Sequence, residues 1–218
     1  MNEKFMNNTF LRISIYILGI LVTTLGINLL WRSELGAGAW DTVTNNFSAL
    51  TNISLGTASA IINITVLIIV LLYNKKWKYI AILIPIIGIA VVIDFWDIIV
   101  FGEFTITDFW LKLVFYIFGA FILTLGLSLM IVTKYPAMVY DELTLSLMRL
   151  FGVKKFFNMR IAIELFAIAL ASMFGFLAGI GFGDVNLGSF ILAVAIGPII
   201  TIHLRCLNLL LKTTIPTK

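Results

Sequence analysis

The sequence predicts an all-α, polytopic membrane helix bundle, and three observations support this fold class: composition, six long apolar runs and an internal repeat. The chain has 218 residues, of which 61% are hydrophobic and 12% are charged, with a mean hydropathy of +1.09. A soluble domain is nearer half apolar and a quarter charged, so the surplus apolar residues indicate a lipid solvent. We therefore expect residues 1–218 to form a single integral membrane domain.

Six apolar runs are long enough to cross a bilayer, which takes about 20 mostly apolar residues per helix. The second run is short, and a tilted neighbour or local thinning of the bilayer would accommodate it. The predicted spans are 12–31, 56–73, 79–100, 111–132, 159–179 and 187–207.

The basic residues predict the orientation of these spans. Of the 15 lysines and arginines, 13 lie on one side, in the segments before span one, between spans two and three, between spans four and five and after span six, or in the adjoining span ends. Only Arg32 and Lys112 fall on the opposite side. The positive-inside rule then predicts a multi-pass plasma-membrane protein with both termini in the cytoplasm. The count on the cytoplasmic side includes Lys4, Lys212 and Lys218.

The chain repeats itself at an offset of 100 residues. Tyr16–Leu30 matches Tyr116–Met130 at 7 of 15 positions. Because three spans separate the two copies, the second copy enters the membrane from the opposite side, and the pattern predicts inverted repeats over about 12–101 and 111–210. Beyond the first span, the matched pairs are Ala37 with Ala137, Trp40 with Tyr140, and Asp41 with Asp141.

A short amphipathic helix is predicted after the first and the fourth span, near 40–50 and 140–150. At about 11 residues, or roughly 16 Å, each is too short to cross the membrane. Two interpretations are open: an interfacial helix with an aromatic anchor, or a re-entrant half-helix whose N-terminus faces a cavity. Asp41 and Asp141 lie in the first turns, where a carboxylate can cap free N–H groups.

Glycines recur on one face of the first and fourth spans. Gly19 and Gly26 are seven residues apart, as are Gly119 and Gly126, and seven residues are close to two helical turns. Small residues allow helix backbones to approach closely in lipid. These glycines predict that the two spans pack against each other, around the axis that relates the repeats.

Glu164 is the most informative candidate site residue because it lies inside the fifth span, where a carboxylate facing lipid is costly. Arg160, one turn earlier, can pair with it at the i, i+4 spacing. The pair is either structural or a proton or cation site, and a gapped repeat alignment gives Glu164 the counterpart Asn63. The full set of predicted substrate or ion site residues is Glu164, Arg160, Asp41, Asp141, Trp40, Tyr140, Asn63, Asp94 and His203.

The motifs of common enzymes are absent from the sequence. It contains no Walker motif, no HExxH helix and no GxSxG elbow, and it has one cysteine and one histidine. We expect no enzymatic activity, no cofactor and no metal. Nucleic acid is not an expected partner, because the basic residues lie between apolar runs; membrane lipids are expected partners, and a homo-oligomer is compatible with the sequence.

The segment Leu35-Gly36-Ala37-Gly38-Ala39-Trp40-Asp41 resembles the bacterial YczE/YyaS/YitT group of integral membrane proteins. The resemblance extends over about 13–209 and includes Ser54–Ser59, Arg160 with Glu164, and Gly179-Ile180-Gly181 leading to Gly197-Pro198. It is closest to the YczE-like branch, in which a proline commonly stands where this chain has Ala39. The resemblance implies a multi-pass membrane protein and no established substrate.

Two function classes follow from these patterns. The first is a small secondary transporter or exporter of an organic solute, coupled to protons or sodium through Glu164, with Asp41, Asp141 and Asp94 as weaker candidates. The second is a non-transporting accessory protein that docks a membrane enzyme through the basic loop 149–160.

Overall fold

The structure is a computed structural model that describes residues 8–136 and 138–211, and this part of the chain is helical with no strand. Four residues named in the sequence predictions lie outside the described residues: Lys4, Ala137, Lys212 and Lys218. The helices are α1 (Thr9–Ser33), α2 (Ala39–Thr51), α3 (Leu55–Asn74), α4 (Leu83–Asp94), α5 (Phe109–Val132), α6 (Val139–Phe151), α7 (Phe156–Leu177) and α8 (Leu187–Leu211).

Six helical segments are long and apolar enough to cross a membrane, which confirms the predicted number of spans. Five of them agree with the predicted boundaries within three residues, while α8 continues four residues beyond the predicted end at 207. The third span is composite: a 3₁₀ turn (Trp77–Ile82) precedes α4, and a π-helical turn (Phe95–Phe101) follows it. The sequence analysis did not predict this change of helix type.

The surface of the bundle is apolar along the spans. Leu72 of α3 is 70% exposed, Phe118 of α5 61% and Phe166 of α7 62%. Large contiguous apolar surface is rare on soluble monomers, so side chains of this kind indicate contact with lipid. The composition and the exposed surface therefore agree that this is a membrane protein.

The glycine faces of α1 and α5 pack against each other in antiparallel directions. A Cβ at Gly26 would lie 2.6 Å from the Cα of Leu123, and a Cβ at Gly126 would lie 2.7 Å from the Cα of Thr23. A Cβ at Gly19 would lie 3.1 Å from the carbonyl oxygen of Gly126, and one at Gly119 equally far from that of Gly26. The predicted glycine seam is confirmed, because only glycine permits this approach.

The two ends of the bundle differ in their charged residues. We call the end that carries Arg32 and Asp97 the outer end and the opposite end the inner end, following the predicted orientation. Arg32 pairs with Asp97 at 2.6 Å at the outer end. Arg12 donates to the carbonyl oxygen of Thr133 at 2.8 Å at the inner end.

The short helices α2 and α6 run alongside spans, with their first turns buried, while the last turn of α6 is exposed at Leu150 and Phe151. Asn46 of α2 donates to the carbonyl of Ala171 at 2.8 Å, and Phe47 packs on Phe174 with ring centroids 5.4 Å apart, so α2 follows the outer half of α7. Asn74 of α3 donates to Ser146 of α6 at 2.7 Å, so α6 follows the inner half of α3. The first turns of both short helices are buried within the bundle, and the re-entrant interpretation stays a prediction.

Candidate functional site

The N-terminal turns of α2 and α6 meet in the interior of the protein. Trp40 and Tyr140 stack there, with ring centroids 4.4 Å apart and 17° between the ring planes. Gly38 and Met138 are the N-cap residues, and neither helix has a side-chain capping hydrogen bond. The predicted capping role of the two aspartates stays a prediction. Asp41 Oδ2 lies 2.5 Å from the point that a Cβ of Gly38 would occupy, beside the first turn of α2. Asp141 pairs with Arg160.

A small polar cavity, which we call the central cavity, lies beside this stack. About 20 Å³ of it is open to the centre of a water molecule, which is room for about one water. Polar groups of α2, α3 and α6 contribute to its wall, although the surrounding helices are apolar. The lining residues are Ile27, Asp41, Ser59, Asn63, Ile86, Ile89, Met138, Val139 and Tyr140.

Asp41 and Tyr140 face the central cavity, and both are difficult to ionise. Burial raises the pKa of Asp41 to about 7, and the negative charge of Glu164 adds to this effect. Burial also holds the pKa of the Tyr140 hydroxyl well above its usual range. The Asn63 side chain hydrogen-bonds with that hydroxyl and also donates to the carbonyl of Ser59 at 2.8 Å.

Glu164 lies close enough to Tyr140 for its charge to act on the hydroxyl, on the side toward the inner end. Its side chain is 6% exposed, and the Arg160 Nε donates to its Oε1 at 2.8 Å. The Nη1 of Arg160 donates to Asp141 Oδ1 at 2.5 Å, and the side chain of Asp141 is 54% exposed. One guanidinium therefore joins a buried carboxylate to an exposed one.

Seven of the nine predicted site residues thus belong to one region around the central cavity, and two do not. Asp94 holds the N-terminus of α3: its Oδ1 accepts from the N–H of Gly56 at 2.6 Å and its Oδ2 from the hydroxyl of Ser54 at 2.7 Å. His203 of α8 packs edge-on against Phe121 with ring centroids 4.6 Å apart. Both residues have local structural contacts away from the cavity.

A second and larger cavity of about 180 Å³, which we call the outer cavity, opens at the outer end. The π-helical turn brings Asp97 to Arg32, whose guanidinium also donates to the carbonyl of Phe104 at 2.9 Å. Lys112 pairs with Glu34 next to this region. The lining residues are Trp31, Arg32, Glu34, Asn45, Leu55, Asp97, Phe104 and Thr105.

Sequence reasoning missed Asp184, which lies in the loop between α7 and α8. Asn46 holds this loop by donating to the carbonyl of Phe182 at 3.0 Å and accepting from the N–H of Asp184 at 2.9 Å. Burial raises the pKa of Asp184 to about 8, against a hydrogen bond from Asn45 that lowers it, and the charges of Asp41 and Glu34 add to the increase. The one sequence signal was an acid directly after the glycine-rich run 179–183.

The arrangement offers protonatable groups. Across the described residues, no three His, Cys, Asp or Glu side chains are grouped so that they could hold a metal ion. The lone cysteine, Cys206, is free and exposed. Proton exchange between buried carboxyl groups is the chemistry that these residues support best.

A family model for a family of unknown function, DUF6198, matches residues 10–205. The chain belongs to this family. It is also similar to the uncharacterized protein YyaS of Bacillus subtilis (strain 168), with 28% identity over 194 residues, covering 88% of this chain and 96% of the relative. No solved structure matches it. The predicted resemblance to the YyaS-like group is confirmed, whereas the assignment to the YczE-like branch stays a prediction for this DUF6198 member.

Proposed function

We propose that the chain is a small secondary transporter that moves an organic solute across the plasma membrane, coupled to protons or sodium. One observation carries the proposal: two half-helices begin beside a polar cavity within an apolar bundle, and Asp41 and Glu164 lie around that point. Half-helices that end at mid-membrane and ionisable side chains in the bundle interior are typical of secondary transporters.

Inverted repeats are part of this proposal. The contacts between α1 and α5 follow the offset of 100 residues. Gly26 approaches Leu123, and the residues at the matching positions, Gly126 and Thr23, approach each other in the same way. The hydroxyls of Thr24 and Thr124 each donate to the carbonyl four residues earlier, at 2.8 Å in both cases. Such a pair of related halves can rock against each other around a fixed site, which is how alternating access operates.

The described basic residues support the proposed orientation. Lys75 and Lys76 are exposed in the loop between α3 and the third span, and Lys78 is exposed in the 3₁₀ turn that begins this span. All three lie at the inner end, as do the exposed Lys154 and Lys155 before α7. Arg32 and Lys112, the two cations at the outer end, pair with Asp97 and Glu34. Cytoplasmic N- and C-termini follow from the positive-inside rule.

The size of the central cavity suits an occluded conformation. Space for about one water is too small for an organic solute, so the half-helices must separate when a solute binds. A proton fits the site without such a change. The pKa of Asp41, about 7, is close to a neutral pH of the medium, so this carboxyl group can gain and lose a proton there. Coupling would follow if protonation of Asp41 and Glu164 selects between conformations.

The experiment begins with a stability-shift screen of purified protein against organic cations, amino acids, sugars and antibiotics. A solute that binds the native state raises its apparent stability, by about 2.7 kcal/mol at 100 times its dissociation constant. Solutes that bind are then loaded into proteoliposomes under a proton or a sodium gradient. Accumulation driven by either gradient supports transport, and binding without driven flux would contradict it.

An accessory function is the second candidate, and the loop before α7 favours it. Lys154 and Lys155 are exposed there between the exposed aromatic residues Phe151, Phe156 and Phe157, a combination that can contact a partner as well as a lipid surface. Capture of membrane partners by wild-type protein and by a Lys154→Glu, Lys155→Glu variant tests this. Equal capture by both would remove the loop as a docking surface.

A further inference from the structure

Asp184 lies in the outer loop between α7 and α8, which α2 holds in a fixed position. Gly179, Gly181 and Gly183 have φ values of 75°, 67° and 59°, so the loop uses a backbone conformation that favours glycine. Asn46 contacts Gly183 so closely that no Cβ fits there, and it hydrogen-bonds with Phe182 and Asp184. The position of the Asp184 carboxyl group is therefore set by the loop and not by a side chain that moves freely.

One oxygen of this carboxyl group is enclosed without a partner. Asp184 Oδ2 has essentially no accessible surface, and no group within 8–136 or 138–211 donates a hydrogen bond to it. An ionised carboxylate in that position would keep an unsatisfied charge, whereas a protonated one would not. The geometry thus favours an acid that carries its proton at neutral pH.

Asn45 connects this acid with both cavities. Its side chain lines the outer cavity and hydrogen-bonds with the carboxyl group of Asp184. Asp41 lies one helical turn before Asn45 on α2, and it lines the central cavity. Residues four apart share a helix face, so a single face of α2 runs from the outer cavity past Asp184 to the central cavity.

We propose that Asp184 is the group through which the outer aqueous side loads a proton onto Asp41, an inference that rests on the transport function proposed above. In the transfer, the O–H bond of Asp184 breaks and an O–H bond forms on the Asp41 carboxylate. Asp184 then takes a new proton from water at the outer end, on the side of its hydrogen-bond partner Asn45, which lines the outer cavity, so charge and protons balance. The carboxyl groups of Glu164 and Asp141, which share the guanidinium of Arg160 as a partner, continue the path from the central site to the inner end.

The charges that face Asp184 keep a proton on it. Asp41 on α2 and Glu34 after α1 are the charged groups that act on it, and both are acidic, so both stabilise its protonated form. Asp184 is therefore the acid of the pair that is loaded first, and it passes its proton on when Asp41 is deprotonated. The cations nearest the outer cavity are occupied, since Arg32 pairs with Asp97 and Lys112 pairs with Glu34.

Infrared difference spectroscopy of the protein in lipid nanodiscs tests the proposal without any solute. We expect the wild type to lose a protonated-carboxyl absorption with a midpoint of about 8 as the pH is raised, and Asp184→Asn to lack this component. Glu103→Gln removes an exposed acid from the neighbouring outer loop and is the matched control, which keeps the component. Identical titrations of wild type and Asp184→Asn would overturn the proposal.

A transport measurement separates loading from a structural role. In proteoliposomes, Asp184→Asn should keep solute exchange in the absence of a pH gradient but lose pH-driven accumulation by about a hundredfold, the low end of what a positioned proton-transfer group contributes. Unchanged pH-driven accumulation in Asp184→Asn would overturn the loading role alone. Equal loss of exchange and accumulation would overturn it as well, because the residue would then be structural. A wild type that moves no solute at all would instead contradict the transport function.

Discussion

Trp40 and Tyr140 stack face to face at 4.4 Å, although 100 residues separate them in the chain. They occupy matching positions of the sequence repeat, in the first turns of α2 and α6. Their contact joins the two short helices end to end inside the bundle. Separation of these rings would widen the central cavity, because Tyr140 is part of its wall.

Substitutions at Tyr140 should separate packing from polarity. Tyr140→Phe keeps the stack and removes the hydrogen bond with Asn63, so we expect a loss of about 1 kcal/mol in the free energy of unfolding. Tyr140→Ala removes the buried ring and should cost about 3–5 kcal/mol. Denaturation of both variants in the same lipid or detergent measures the difference, and equal losses would contradict a packing role for the stack.

The close approach of α1 and α5 predicts an intolerance of added methyl groups. Gly26→Ala and Gly126→Ala each force a Cβ against the backbone of the opposite helix, and we expect each to lower the unfolding free energy by about 1–3 kcal/mol. Gly197→Ala is the matched control, because its Cβ would meet open space within α8. Thermal unfolding of the three variants checks this; similar effects at all three glycines would contradict a glycine seam.

Hydrogen exchange can measure how much the hydrogen bonds of Asn46 stabilise the outer loop between α7 and α8. Asn46→Ala loses hydrogen bonds to Ala171, Phe182 and Asp184. Each of these hydrogen bonds contributes about 0.5–1.5 kcal/mol net to stability. Their loss should therefore speed hydrogen exchange of the loop amides by at least about tenfold. Asn158→Ala, at an exposed position of α7, should leave that exchange unchanged. Equal exchange in Asn46→Ala and wild type would show that other contacts hold the loop.

The buried acids predict how stability depends on pH. Asp184 has a pKa of about 8 in the folded protein and about 3.8 when unfolded, so between these values the folded state binds more protons. Stability is therefore highest below about pH 4 with respect to this group and falls as the pH rises toward 8. Asp41 contributes in the same direction up to about pH 7.

Asp184→Asn should remove the larger part of this pH dependence. We expect its apparent melting temperature to exceed that of the wild type at pH 8, with a difference that shrinks toward pH 4. Melting curves across that range provide the measurement, with Glu103→Gln expected to follow the wild type. A constant difference between Asp184→Asn and wild type at every pH would contradict a buried, protonated Asp184.

The spans and the glycine seam could be predicted because they depend on local signals. Apolar run length sets the spans, and the seven-residue spacing of Gly19 with Gly26 sets a helix face. The sequence also indicated that Asp41, Asn63 and Glu164 would lie near one another. The repeat aligns Trp40 with Tyr140 and Asn63 with Glu164. These residues come together once the first turns of both short helices lie in the interior of the bundle.

Asp94, Asp97 and Asp184 depend on contacts that no local pattern encodes. Asp94 binds the first turn of α3, 38 residues earlier in the chain, and this contact exists only once α3 and α4 have packed. Asp97 reaches Arg32 because the helix widens to a π-helical turn after Asp94. Asp184 is next to Asn45 and Asn46 because of the path of a loop with three positive φ values.

The central claim, that buried carboxyl groups couple proton movement to solute movement, is tested most directly at Glu164. The measurement is pH-driven accumulation of a solute from the stability screen in proteoliposomes that contain wild type, Glu164→Gln or the control Glu103→Gln. We predict that Glu164→Gln, folded as judged by its melting curve, loses the driven accumulation while Glu103→Gln retains it. Accumulation by Glu164→Gln at the wild-type level would contradict the claim.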